Sequence, residues 1–233
     1  MAGYREHISV SGVCGAGYGV AAMVLFEFTP VQAALAGVMT WVAGMLPDVD
    51  SDTGRPTREV FGLLAAVMPL AMMGHLLKWG GDAEGAMLLA VLVYAGIRYG
   101  ASAVLAKASV HRGMFHSVPA MVIAAELAFL AYKSDSVGVK TLMAGGVALG
   151  FFSHLLLDEI YSVQFSGVRI RLKKSAGSAI KFVGEKFLPN VVTYALLMLL
   201  TYATLVDLGL VARPDVQGPS HLFRQAGDIQ PLQ

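Results

Sequence analysis

The chain has 233 residues, of which 56% are hydrophobic and only 14% are charged. Since a soluble domain carries about a quarter charged residues, this composition argues against a soluble globular protein and indicates an integral membrane protein. The 17 basic and 16 acidic residues nearly balance, so no basic surface of the kind that nucleic-acid binding needs is expected.

Seven apolar runs are candidates for membrane crossings, each of which needs about 20 residues of helix. Polar residues or Gly and Pro separate the runs, and the third and fifth are short. In chain order they cover approximately 8–28, 30–46, 60–77, 85–106, 118–132, 138–160 and 188–210. The sequence therefore predicts an all-α fold, a polytopic transmembrane helical bundle of about seven segments that forms one integral membrane domain over residues 1–211.

If the runs alternate in direction, one side of the membrane holds the N-terminus, the 47–59 and 107–117 loops and the 161–187 segment. That side carries eleven basic residues against five on the other side, and Arg98 lies inside the fourth run. The eleven are Arg5, Arg55, Arg58, Lys107, Arg112, Arg169, Arg171, Lys173, Lys174, Lys181 and Lys186. Because cytoplasmic loops are enriched in Lys and Arg, we expect a cytoplasmic N-terminus and an external C-terminus.

Two segments differ in composition from the apolar runs. If the later part of the basic 161–187 segment is helical, it places Ile180, Val183 and Phe187 on one stripe. The segment is then predicted to lie flat on an anionic leaflet, and the alternative is an ordinary basic cytoplasmic loop. The polar, proline-containing tail 212–233 is predicted to be disordered.

Polar clusters with metal-binding side chains occur at the ends of the runs, all on the predicted cytoplasmic side. They are His7, Asp48 and Asp50 in LPDVD, His111 and His116 in HRGMFHS, and His154 and Asp158 in HLLLDE. His154 and Asp158 are four residues apart, so on a helix both project from one face and can bind one ion. Imidazoles and carboxylates are common metal ligands. The pattern predicts a metal site at the cytoplasmic mouth of the bundle.

The number and kind of these residues indicate how many metal ions could bind and which ones. Seven candidate ligands exceed the four of one tetrahedral zinc ion, and the single cysteine, Cys14, excludes a Cys-rich zinc site. The mixed set suits one or two divalent ions, with Zn²⁺ expected and Mn²⁺ or Mg²⁺ as alternatives. Each motif alone also has a structural interpretation, since Asp after Pro commonly caps a helix and a membrane-edge His is more often an interfacial residue.

Three further polar residues accompany the candidate ligands. Arg112 offers a planar guanidinium that matches a phosphate, which makes it a candidate for substrate binding and catalysis. Glu159 faces about 100° away from Asp158 on a helix and is a candidate general base. Ser117 is a candidate substrate-binding residue, and the alternative is that it caps the fifth helix.

Arg98 and Glu126 are the charges deepest in the apolar runs. At 1.5 Å per residue they lie roughly 20 and 15 Å from the metal-bearing edge. Because an unpaired charge at such depth costs roughly 2.5–3.5 kcal/mol, we predict an ion pair between adjacent helices. The alternatives are an Arg98 that snorkels into a polar cavity and a protonated Glu126. Without the pair, Arg98 becomes a candidate substrate-binding group.

The order of these motifs resembles that of the YdjM-like metal-dependent hydrolases of bacterial inner membranes, whose pattern runs His, LPDxD, HRGxxHS and HxxxD. The similarity extends from His7 through Asp158. It implies a metal-dependent hydrolase of the bacterial inner (cytoplasmic) membrane with ligands at His7, Asp48, Asp50, His111, His116, His154 and Asp158. It does not identify a substrate.

These observations lead us to expect an enzyme in which metal-activated water attacks a phosphoryl or acyl ester near the cytoplasmic leaflet. Membrane lipids are the expected partners, since a lipid reaches a membrane-edge site without leaving the bilayer. The rival hypothesis is a non-catalytic protein that binds or transports a divalent metal. A transporter places its ligands near the midplane, whereas these ligands lie at one edge.

Overall fold

The computed structural model describes residues 3–50, 55–101, 103, 114–166, 169–172 and 181–212. Most of this part of the chain is helical. The helices are α1 (Tyr4–Leu25), α2 (Pro30–Ala43), α3 (Arg55–Ala71), α4 (Met73–Gly80), α5 (Ala83–Ala95), α6 (Val118–Ala131), α7 (Val137–Ser162) and α8 (Phe187–Asp207). A 3-10 turn at Pro47–Asp50 follows α2, and a π-helical turn at Gly96–Ala101 continues α5.

Four helices in the described ranges are long and apolar enough to cross a membrane: α1, α5 with its π-helical turn, α7 and α8. The α3 and α4 helices satisfy the same criteria as a pair bent by 61°, and Pro69 lies just before this bend, where it removes a helical hydrogen bond. The α2 and α6 helices have 14 residues each, or about 21 Å. The predicted helical membrane bundle is confirmed, but the count of seven crossings is not.

Close packing of small residues joins α1, α2 and α7. A Cβ atom on Gly15 of α1 would lie 2.3 Å from the Gly37 carbonyl oxygen of α2, and a Cβ on Gly150 of α7 would lie 1.9 Å from the Thr40 carbonyl oxygen. Only glycine permits this backbone contact. The Tyr18 hydroxyl also donates to the Leu142 carbonyl at 2.9 Å. These contacts make α1 antiparallel to both α2 and α7, which places the start of α1 beside the ends of α2 and α7.

An ion pair joins α7 and α8 at the opposite end. Lys140, near the start of α7, contacts Asp207 at the end of α8. The Lys140 ammonium also lies 4.5 Å from the centre of the Phe129 ring, near the end of α6. The α6, α7 and α8 helices therefore alternate in direction.

The segment after α7 does not form the predicted helical stripe. Val163–Ser166 and Arg169–Leu172 form a two-stranded antiparallel ribbon, residues 181–186 are non-helical, and Phe187 begins α8. Val183 lies in the non-helical part, and Ile180 lies outside the described residues. The tail from residue 213 also lies outside them, so its predicted disorder remains a prediction.

The predicted ion pair between Arg98 and Glu126 is not formed. Glu126 of α6 instead accepts a hydrogen bond from Thr201 Oγ1 of α8 at 2.7 Å. Arg98 lies beside α3, where a Cβ on Gly62 would be 3.9 Å from its Nε atom. The reason is that α5 and its π-helical turn pack mainly against α3 and α4, whereas α6 packs mainly against α7 and α8.

Candidate metal centre

Five of the seven predicted ligands meet at the end of the bundle where α1 begins and α7 ends. The first lies one turn into α1 and the second in the turn after α2. The third directly precedes the N-cap of α6, and the last two lie in the final turns of α7. The five are His7, Asp48, His116, His154 and Asp158. The fold therefore brings these five candidate ligands together.

His154 occupies the middle of this group. Its Nδ1 atom lies 2.8 Å from the Gly44 carbonyl oxygen. Because a carbonyl only accepts, Nδ1 carries the proton, and the lone pair of the neutral imidazole is on Nε2. The Nε2 atom is buried and makes no hydrogen bond within the described part of the chain. It lies 3.6 Å from Asp48 Oδ1 and 3.8 Å from Asp158 Oδ2. This is the arrangement of a histidine held for metal binding.

His7, His154 and Asp158 form a buried triad that we call the inner triad. Their potential ligand atoms lie within 4.8 Å of one another. His7 Nε2 is 3.2 Å from Asp158 Oδ1, and the His7 and His154 rings are stacked with centroids 3.7 Å apart. An ion at this triad would be bound by two imidazoles and one carboxylate.

Asp48, His116 and His154 form the outer triad, whose potential ligand atoms also lie within 4.8 Å of one another. His116 Nε2 is 3.2 Å from Asp48 Oδ1. Burial alone would raise the pKa of the Asp48 carboxyl, but the adjacent imidazoles of His116 and His154 outweigh it and hold that pKa well below its usual range. Asp48 is therefore ionised at neutral pH and available as a ligand.

The two triads share His154, and this limits how they can be filled. One nitrogen of its ring is bound to Gly44, so only Nε2 is available and His154 can ligate one ion. The five side chains fit either one ion that draws ligands from both triads or two ions joined by a carboxylate bridge.

Two uncharged residues that the sequence analysis did not identify support the centre. The Ser11 hydroxyl donates to the Trp41 carbonyl at 3.1 Å and joins α1 to the end of α2. A Cβ on Gly44 would lie 2.3 Å from the Ser11 Cβ, so glycine is required at this contact. The available signal is their spacing, since Ser11 follows His7 by four residues and Gly44 precedes Asp48 by four.

Ser117 is the N-cap of α6. Its hydroxyl oxygen accepts a hydrogen bond from the Ala120 backbone N–H at 3.2 Å, and the hydroxyl donates to the Met114 carbonyl. It is fully buried. The capping alternative from the sequence is confirmed, and the hydroxyl fixes the turn that carries His116.

The remaining predicted site residues lie outside the two triads. Glu159 is half-buried, and the Ser162 hydroxyl donates to its carbonyl at 2.6 Å and lies 3.4 Å from its Oε1 atom. Arg98 lies beside α3, away from the centre. His111, Arg112 and the Asp50 side chain lie outside the described residues. Their assigned roles remain predictions.

Comparison with protein families supports one relationship. A family model described as YdjM inner membrane protein matches residues 4–208. This range includes both triads. Comparisons with curated proteins and with solved structures gave no match.

Proposed function

The chain belongs to the YdjM inner membrane protein family, and on this basis we propose that it is a membrane-embedded metal-dependent hydrolase. Its substrate is an ester, preferably a phosphoester, of a lipid or another membrane-proximal molecule at the cytoplasmic face. The observation that carries this proposal is the buried Nε2 atom of His154, which lies 3.6 Å from Asp48 Oδ1 and 3.8 Å from Asp158 Oδ2 and has no hydrogen-bond partner among the described residues.

The donor set fits a divalent metal. Two carboxylates and three imidazoles are the ligands that Zn²⁺ and Mn²⁺ take in proteins, and Mg²⁺ is the alternative where carboxylates and water predominate. His7, Asp48, His116, His154 and Asp158 would hold one or two ions, and Asp50 and His111 are the proposed additional ligands. Bound there, the metal supplies Lewis-acid polarisation of the ester and an activated water.

The exposure of the two carboxylates suggests the direction from which a substrate enters. The Asp48 side chain is 26% exposed, whereas that of Asp158 is 2% exposed. We therefore place the substrate on the Asp48 side of the centre, beside the His116 turn. Arg112 belongs to the same loop and is proposed to bind the anionic group.

Glu159 is the proposed general base. It directly follows the proposed ligand Asp158, so the same turn of α7 positions both residues. Their side chains project about 100° apart around the helix. Its carboxylate can remove a proton from a water or a hydroxyl near the centre. Arg98, placed beside α3, is a weaker candidate for contact with the substrate.

A non-catalytic metal site is the second candidate function, and one observation favours it. His7, His116, His154 and Asp158 are all at most 5% exposed, and structural metal sites are typically closed. A metal there would fix the start of α1 to the ends of α2 and α7. Transport of the metal is less well supported, because a transporter needs ligands near the midplane and we expect these at the cytoplasmic mouth of the bundle.

Metal analysis combined with hydrolysis assays separates these functions. Protein purified in detergent is analysed for bound metals and then tested on a panel of phospholipids, with chelator and after metal is returned. Metal-dependent product release supports the hydrolase. Bound metal without hydrolysis, together with a lower Tm after chelation, supports the structural alternative. Absence of bound metal after supplementation with Zn²⁺, Mn²⁺ and Mg²⁺ contradicts both.

A further inference from the structure

A second polar group lies between α6 and α8, away from the metal centre. Thr201 Oγ1 donates to Glu126 Oε1 at 2.7 Å. The other carboxylate oxygen, Glu126 Oε2, is buried and has no hydrogen-bond partner among the described residues, and the same is true of Thr204 Oγ1. Thr204 follows Thr201 by three residues, so both hydroxyls lie on the same face of α8.

The side chains of Glu126, Thr201 and Thr204 are half-buried, but the Glu126 Oε2 and Thr204 Oγ1 atoms themselves are inaccessible. Glu126 is eight residues after the start of α6, about 12 Å from the end that carries the metal centre. Thr201 is six residues before the end of α8, about 9 Å from the opposite end. The group is therefore separate from both triads and lies at a depth where hydrocarbon surrounds the helices.

The basic side chain within α6, α7 and α8 as described, Lys140, is already paired. Lys140 of α7 contacts Phe129, one turn from Glu126, but its ammonium forms an ion pair with Asp207. The other titratable side chains on α6, α7 and α8 lie at the end of the bundle with the metal centre, lie on an exposed face, or contact other parts of the chain. These are His154, Asp158, Glu159, Tyr161, Tyr194, Tyr202 and, next to the end of α6, Tyr132.

We propose that Glu126, Thr201 and Thr204 form a monovalent-cation site within the membrane, which takes H⁺ or Na⁺. An ionised carboxylate in hydrocarbon is costly unless its charge is neutralised, and both cations neutralise it. A proton on Oε2 gives this oxygen a hydrogen to donate toward Thr204. Sodium uses the carboxylate and hydroxyl oxygens directly. In either form the cation stabilises the contact between α6 and α8.

Infrared difference spectra test this site and distinguish the two cations. Wild-type protein and the Glu126→Gln variant are reconstituted in lipid and titrated from alkaline to acidic pH, in sodium chloride and in choline chloride. Glu84→Gln is the control, because Glu84 lies exposed in the first turn of α5.

A carboxylic-acid carbonyl band at neutral pH that is absent only in Glu126→Gln, and that Na⁺ does not change, identifies the proton. A band that Na⁺ converts into carboxylate bands, with a higher Tm in wild type but not in Glu126→Gln, identifies sodium. If Glu126 remains ionised in choline chloride through the acidic range, the proposal is wrong.

Thr204→Val provides a second test that does not depend on the folding of Glu126→Gln. It removes the hydroxyl while keeping the side-chain shape, and Thr204→Ser restores the hydroxyl. We expect Thr204→Val to change the cation concentration at half-saturation by roughly tenfold, the effect of one hydrogen bond to a charged group. We expect Thr204→Ser to behave as wild type. Identical titrations of Thr204→Val and wild type would exclude Thr204 and overturn the site as proposed.

Discussion

The Nδ1 atom of His154 lies 2.8 Å from the carbonyl oxygen of Gly44, across the contact between α7 and the end of α2. A backbone carbonyl thus sets the tautomer of the central histidine and leaves its Nε2 lone pair toward the carboxylates. Because the Gly44 carbonyl comes from the residue that caps α2, the same contact positions the turn that carries Asp48. Helix packing and ligand orientation are therefore coupled at this point.

Replacing His154 with alanine should remove most of the bound metal, because His154 belongs to both triads. Asp158→Ala should have a smaller effect if Asp48 retains the ion. Metal content of the purified variants is measured by mass spectrometry, with His75→Ala as the control because His75 lies exposed on α4. Unchanged metal content in folded His154→Ala protein would remove His154 from the set of ligands.

Gly44→Ala should destabilise the protein by about 1–3 kcal/mol, the usual cost of overpacking, and should weaken metal binding. The added Cβ would approach the Ser11 Cβ to 2.3 Å. Thermal unfolding and metal titration measure the two effects. Gly17→Ala is the matched control, since a Cβ there meets nothing within 4 Å and alanine favours the helix. Equal Tm values for the Gly44 and Gly17 variants would contradict the close contact.

Ser117→Ala should lower stability by about 1 kcal/mol through the loss of the α6 cap. The His116 turn then loses its support, so metal affinity should fall with stability. A substrate-binding role for Ser117 predicts a different result, namely a raised KM at unchanged Tm and metal content. Ser117→Thr keeps a capping hydroxyl and should retain most of the wild-type stability.

The C-terminus should be external and the N-terminus cytoplasmic, because the predicted side of the N-terminus holds eleven basic residues and the predicted opposite side holds five. Reporter fusions at residues 133–136, after α6, and at the C-terminus should both behave as external. A cytoplasmic C-terminal reporter would show that an even number of segments crosses the membrane. The 14-residue helices α2 and α6 would then be the first to re-examine.

Much of the candidate centre was predictable because its residues are charged or aromatic and occur at helix ends. Alternation of the apolar runs was sufficient to place His7, Asp48, His116 and His154 on one side. Ser11 and Gly44 were not predicted, since their roles are a neutral hydrogen bond and the absence of a side chain. Apart from their spacing of four residues from His7 and Asp48, neither leaves a chemical signature in one sequence.

Two expectations that the structure does not bear out, the number of crossings and the ion pair between Arg98 and Glu126, have a common physical origin. Apolar composition shows where hydrocarbon-facing helices occur, but helix length depends on where capping and backbone hydrogen bonds end them, as at Thr29 and Gly44 for α2. Similarly, position along a helix predicted the depths of Arg98 and Glu126, but not which helices are neighbours. Tertiary packing assigned Arg98 to α3 and Glu126 to α8.

If metal binds as proposed, the sharing of His154 makes the inner and outer triads competitors for it. An ion that takes Nε2 into one triad leaves the other with only two of its three ligands. The second ion must therefore bind more weakly than the first unless a carboxylate bridges both. Metal titration should show two unequal steps, and the weaker step determines the metal concentration at which the centre changes from one ion to two.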